Sequence, residues 1–158
     1  MILLKYTDVK GDVQITDHKE WIRVGTMQFG VGRGIGTPMG GNDRETSNPS
    51  LSEITLTKEM DVASGGLFQM SLNGDAKEVE IHVLQTGGGQ NDGKPYLKIK
   101  LYNVLISGYS FSTSGSNPSE SLSLNFTKIE FKYDKYESGG TLKEGTPVIW
   151  DIQANKLT

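Results

Sequence analysis

Residues 52–72, SEITLTKEMDVASGGLFQMSL, change their hydrophobic period partway through. Ile54 and Leu56 alternate with Thr55 and Thr57, the two-residue repeat of a strand with one buried face. Met60, Ala63, Leu67 and Met70 then fall at helical spacing, as one stripe. No other segment makes that switch convincingly, so the pattern predicts a mainly β protein with one short helix. That helix is expected at about 64–73, with the Ser64 hydroxyl capping its first turn and Asn73-Gly74 ending it. Gly65 and Gly66 then sit at its start, where glycine is least harmful. About two turns long, it cannot stand alone and must lie on the sheet.

The rest of the chain reads as strands and loops. Strands are expected over 2–8, 21–31, 78–86, 96–111, 121–133 and 148–152. The 96–111 stretch is one long strand or two bent ones. In 121–133, Leu122, Leu124 and Phe126 are followed by Ile129, Phe131 and Tyr133, and the three-residue step predicts a bulge at Thr127–Lys128. A Gly-rich loop spans about 30–50, and loops of that length usually have a job. About seven strands at this spacing favour one closed barrel or a sandwich, a single domain over 1–158. Sixteen basic residues against 19 acidic ones, net −3, make a poor nucleic-acid binder. With no cysteine there is no disulfide, thiol nucleophile or thiolate metal site. The N-terminus lacks the pattern of a Sec signal peptide, and no segment is long enough to span a membrane.

Motifs for chemistry fail on inspection. GGGQNDGKP at 87–95 approaches a phosphate-binding loop, but Pro95 stands where Ser or Thr would hold magnesium and a strand follows instead of a helix. His18 and His82 are too few for a zinc site, and His82 reads as a surface residue opposite Val79, Ile81 and Val83. No nucleophile elbow is present, and carboxylate pairs such as Glu78 and Glu80 read as a solvated strand face. The reading is therefore a protein without catalytic residues, cofactor or metal. What remains is a second apolar face. Trp21, Met27 and Phe29 lie opposite Ile22 and Val24, and Leu84 shares a face with His82. These four are candidate subunit-interface residues. A non-catalytic ligand-binding barrel, for example a carbohydrate binder, is the alternative.

With those residues in hand, the chain resembles the Hcp family, the tube protein of bacterial type VI secretion. The resemblance rests on Asp8-Val9-Lys10-Gly11 with His18, on Leu56 to Ser64 with Thr57, Lys58, Asp61 and Ser64, on Leu122 to Phe126 with Asn125, and on Trp150-Asp151-Ile152. Gly65 stands where the family often has Pro, and Ile149 where Gly often precedes the Trp. The resemblance implies a β-barrel with one flanking helix, assembled as hexameric rings. It implies that the rings stack into a tube, that a contractile sheath drives the tube out, that a spike protein caps it, and that effectors travel in its lumen. Partners would be further copies of the chain, the spike, the sheath and effectors, with no nucleic acid and no membrane insertion. The protein would be cytoplasmic before firing and secreted afterwards. Arg33, Gly34, Ile35, Gly36, Thr37, Pro38, Met39, Gly40, Gly41 and Asn42 would form the ring-stacking loop.

Overall fold

The computed structural model describes residues 1–36, 44, 46–86, 93–137 and 139–158. Residues 37–42 of the expected stacking loop and 87–92 of the phosphate-loop near-match lie outside the described residues. In chain order the elements are β1 (Ile2–Tyr6), β2 (Ile22–Val24), β3 (Thr26–Gln28), β4 (Val31–Gly32), β5 (Ser50–Leu51), β6 (Ile54–Glu59), α1 (Ser64–Asn73), β7 (Lys77–Leu84), β8 (Pro95–Ser112), β9 (Ser119–Asn125), β10 (Lys128–Tyr133), β11 (Lys135–Tyr136), β12 (Leu142–Lys143), β13 (Val148–Asp151) and β14 (Lys156–Leu157).

The strand pairing runs in a circuit. β1 pairs with β7, β7 with the first half of β8, the second half of β8 with β9, β9 with β6, and β6 with β3. β3 is β2 continued past Gly25, and β2 pairs with β1. Every ladder is antiparallel, and closure leaves the circuit without an open edge of its own. β10, β13 and β14 extend the sheet from the other side of the first half of β8. The interior holds Leu4, Ile22, Ile54, Leu56, Ile81, Leu101, Leu122 and Leu124, all fully buried.

Closure requires the strands to turn without exposing their apolar rows, and three strands do so by the same device. Buried positions step by two, then once by three: Val24 to Met27, Leu101 to Val104, and Phe126 to Ile129. At the second step Asn103 takes φ +53°, the left-handed region that Asn tolerates better than most residues. Its side-chain amide donates to the Thr127 hydroxyl at 3.0 Å, joining the second corner to the third. The bulge predicted at Thr127–Lys128 is thus a full corner that separates β9 from β10.

Several expectations change. The predicted 21–31 strand is broken at Gly25, whose N–H donates to the Thr57 carbonyl at 2.7 Å. Past that break Met27 and Phe29 turn toward the main core and are packed against it, so they do not share a face with Trp21. Phe131 and Tyr133, expected inward, are 42% and 53% exposed, because β10 lies outside the circuit and no opposing wall among the described residues covers them. The 30–50 segment is not bare loop. β4 pairs with β5, Ile35 bridges to Thr46, and the Gly34 N–H donates to the Ser47 hydroxyl at 2.8 Å. Its stem is a two-stranded arm.

Asn103→Val should destabilise the fold by about 1–2 kcal/mol, the left-handed penalty for a side chain that cannot bond locally. Asn103→Gly should lose less. Urea denaturation of both variants at one protomer concentration checks the order.

Candidate assembly surfaces

A buried ion cluster fixes the place where the chain leaves the barrel for α1. Lys58 follows Ile54 and Leu56 on the inward phase of β6, and Glu120 precedes Leu122 and Leu124 on the inward phase of β9. They are direct cross-strand partners. The Lys58 ammonium donates to Glu120 Oε2 at 3.0 Å, to Asp61 Oδ1 at 3.0 Å and to the Glu59 carbonyl at 2.8 Å. Both the Lys58 and Glu120 side chains are wholly buried. Glu120 Oε1 has no hydrogen-bond partner among the described residues. Tyr109 lies close by, and its hydroxyl is held above its ordinary pKa by burial first and by the Glu120 charge second.

The same cluster shapes the helix start, and here the expected cap is corrected. Ser64 is the first helical residue, and its hydroxyl accepts the Asp61 N–H at 2.9 Å instead of capping the first turn. Asp61 Oδ1 in turn accepts the Ala63 N–H at 3.0 Å. Asp61 therefore serves both the Lys58 ammonium and the turn into α1. Thr57 faces outward and hydrogen-bonds Thr26 across the β3–β6 ladder. The stripe of Ala63 and Leu67 is buried, and Met70 packs against the core. Phe68 and Leu72 remain exposed, with Phe68 against the Tyr109 ring at 5.5 Å between centroids. Phe111 on β8 is exposed as well.

Arg33, Gly34, Ile35 and Gly36 are all exposed on the arm. β4 and β5 pair only with each other among the described residues, and Val31 and Ile35 show apolar groups to solvent. Asn125 is exposed at the end of β9, and Trp150 on β13 packs at the edge of the main core opposite Ile129.

Trp21 and Leu84 are not free for a neighbour. Both are buried in a second, smaller core with Leu3 and Val13 on the outer side of β1 and β7. The connection 11–20 folds back as a strap over that face, so the chain covers its own second apolar face. The Gly11 N–H donates to the Glu20 carbonyl at 2.8 Å and the Val13 N–H to the Trp21 carbonyl at 3.2 Å. A Cβ at Gly11 would collide with the Trp21 backbone. The strap also joins the two histidines that the sequence left unrelated: His18 Nε2 and His82 Nδ1 are 2.9 Å apart. His82 is mostly buried rather than on the surface, and burial pushes it down to about 4.

The two outer walls of the barrel differ in chemistry. On the β1–β7–β8–β10 side, Lys5, Glu80, Lys100 and Glu130 form one cross-strand row of alternating sign. On the β3–β6–β9–β8 side, Thr26, Thr57, Ser121 and Ser110 form one row, and Gln28, Thr55, Ser123 and Gly108 the next. The second wall carries hydroxyls and one amide with no charge in either row.

The described residues thus form a closed barrel with a flanking helix and a two-stranded arm, both carrying exposed apolar groups. The family model described as type VI secretion system effector, Hcp, matches residues 3–133, and the chain belongs to that family. It is a type VI secretion tube/effector protein. A solved structure described as a type six secretion system protein is 25% identical, with 99% of this chain and 98% of that one covered and a TM-score of 0.90. Hcp1 from Salmonella typhimurium is 20% identical over 99% and 97% of the two chains, with a TM-score of 0.75. A type VI secretion system effector from Yersinia pestis is 20% identical over 96% and 99%, with a TM-score of 0.72. These last two speak for the fold. A search of curated proteins gives no match. A ligand-binding barrel is not favoured.

Lys58→Met leaves the Glu120 carboxylate buried and unpaired, and should cost about 3–5 kcal/mol of stability. The double variant Lys58→Met/Glu120→Leu should recover most of that loss. Chemical denaturation of both variants checks the pair, and an equally unstable double variant would refute the account.

Proposed function

We propose that this chain, as a single Hcp-like domain, closes into hexameric rings that stack into the conduit of a type VI secretion system. The arm carries this reading. An isolated two-stranded ribbon is marginal in water, and this one pairs with nothing else among the described residues while exposing Val31 and Ile35. A ribbon of that kind gains stability by lying on a neighbouring copy. Its stem is already ordered by pairing, so docking it loses less entropy than ordering a free loop would.

Ring closure needs a heterologous contact repeated about one axis. Two separated groups of exposed apolar side chains suit the two halves of such a contact. One is Phe68 and Leu72 on α1 with Phe111 on β8, and the other is Phe131 and Tyr133 on β10 with Val148 on β13. We assign the hydroxyl wall to the lumen. Short uncharged side chains neither hold a passing polypeptide by charge nor bind it through apolar contact. The role is mechanical rather than catalytic. The spike, the sheath and an effector are the expected partners. The protein would act in the cytoplasm before firing and outside the cell after it.

Phe68→Asp should shift the oligomer mass toward the monomer by light scattering while circular dichroism stays unchanged. Ile35→Asp should leave the ring mass intact and reduce stacked tubes in electron micrographs; tubes at normal frequency would contradict the arm's role. Ser123→Arg should leave the ring whole and lower the amount of effector recovered outside the cell, because a charge on this wall would hold a passing polypeptide.

A further inference from the structure

The buried ion cluster leaves one charged atom unserved. Lys58 takes Glu120 Oε2 at 3.0 Å, while Glu120 Oε1 has no hydrogen-bond partner among the described residues. The whole Glu120 side chain is buried, and a buried carboxylate oxygen without a donor costs more than a neutral group would. Strand register names its neighbours. Across the β8–β9 ladder Glu120 stands opposite Phe111, and Leu122 opposite Tyr109. Tyr109 is therefore the diagonal neighbour of Glu120 on the same face, a separation that an aromatic side chain spans. Burial first, and the Glu120 carboxylate second, hold its hydroxyl above the ordinary pKa.

Tyr109 also touches the surface assigned to the ring contact. Its ring lies against Phe68, with 5.5 Å between centroids. It packs on the main core while remaining partly exposed. Phe68 and Phe111, beside it on α1 and β8, are 49% and 59% exposed. The helix is thus tied to the cluster twice. Asp61, bonded to Lys58, accepts the Ala63 N–H at the helix start, and further along Phe68 meets Tyr109. α1 itself, SGGLFQMSLN, carries no charged side chain, so any polar selectivity at this face comes from beneath it.

We infer, on the strength of the proposed ring, that Tyr109 is a positioning residue for the lateral contact, its hydroxyl donating to Glu120 Oε1 once a second copy of this chain covers Phe68 and Phe111. In the free chain the partly exposed Tyr109 side chain has water to bond. Covering that face takes the water away and leaves the orphan carboxylate oxygen as the acceptor within reach. The bond joins a hydroxyl to a charged acceptor, the stronger class of hydrogen bond. Association gains it, while folding of the single chain does not. A contact that buries the apolar groups without seating Tyr109 leaves two polar groups dry and unpaired, so the same bond penalises misaligned docking.

Tyr109→Phe keeps the ring against Phe68 and removes only the hydroxyl. Light scattering over a dilution series should show the protomer concentration at half-dissociation rising roughly 10-fold or more, the worth of one hydrogen bond to a charged group at each contact. The urea midpoint of the dissociated chain should not move. In the Lys58→Met/Glu120→Leu background, where the acceptor is gone, Tyr109→Phe should leave the half-dissociation concentration where it was. A Tyr109→Phe hexamer as resistant to dilution as the unmodified one, an equal loss in the double-variant background, or a urea midpoint that falls along with assembly would each overturn the role of Tyr109 alone. An unmodified protein that stays monomeric at every concentration would overturn the ring and this role together.

Discussion

Closing an antiparallel sheet on itself forces long strands to turn while their apolar rows stay inside, and the rest of this structure follows from how that is met. Each of three strands inserts one extra residue at its corner, after Val24, Leu101 and Phe126. One residue reverses the side-chain alternation, which is what keeps the row inward once the strand has changed direction. Asn103 bears the backbone strain of one corner and ties it to the next through Thr127. Because β8 and the β9–β10 pair turn together, their first and second halves belong to different walls. The alternating-charge wall and the hydroxyl wall are consequences of that turn.

The exit from the barrel is handled by charge. An ammonium and a carboxylate wholly buried and opposite each other in register are costly to desolvate, so an apolar pair would pack there as well or better. What the ions supply is direction. Lys58 reaches Glu120 across the ladder and Asp61 beyond the strand end, and Asp61 bonds the turn that starts α1. The helix is thereby aimed so that Ala63 and Leu67 bury and Phe68 and Leu72 do not. Lateral assembly through Phe68 and Leu72 would rest on this buried cluster several residues away.

The strap and the arm are opposite solutions for an apolar surface. At Trp21 and Leu84 the chain folds back over its own exposed face. At Val31 and Ile35 it leaves the apolar groups uncovered on a ribbon that pairs only with itself among the described residues. A surface left open in one chain and closed in the proposed stack would suit a reversible polymer.

The sequence by itself determined the strand-to-helix switch at 54–70, the helix bounds, the inward rows of Leu122 and Leu124, and, through Thr57, Lys58, Asp61 and Ser64, the family. These are local periodicities and spacings, and local physics is enough to read them. The charges of Lys58 and Glu120 at inward positions were also there to be read, as exceptions to their strands' alternation. Other features lie beyond local pattern. The reversal at Gly25 moves Met27 and Phe29 to the core, and although the three-residue step from Val24 to Met27 marks it, Trp21 in phase with Met27 and Phe29 makes the stretch read as one strand. The meeting of His18 with His82, the burial of Trp21 and the exposure of Tyr133 depend on which strand or strap lies opposite. That choice is made by closure of the circuit among residues as distant in sequence as Ile2 and Val83, so only the tertiary structure decides it.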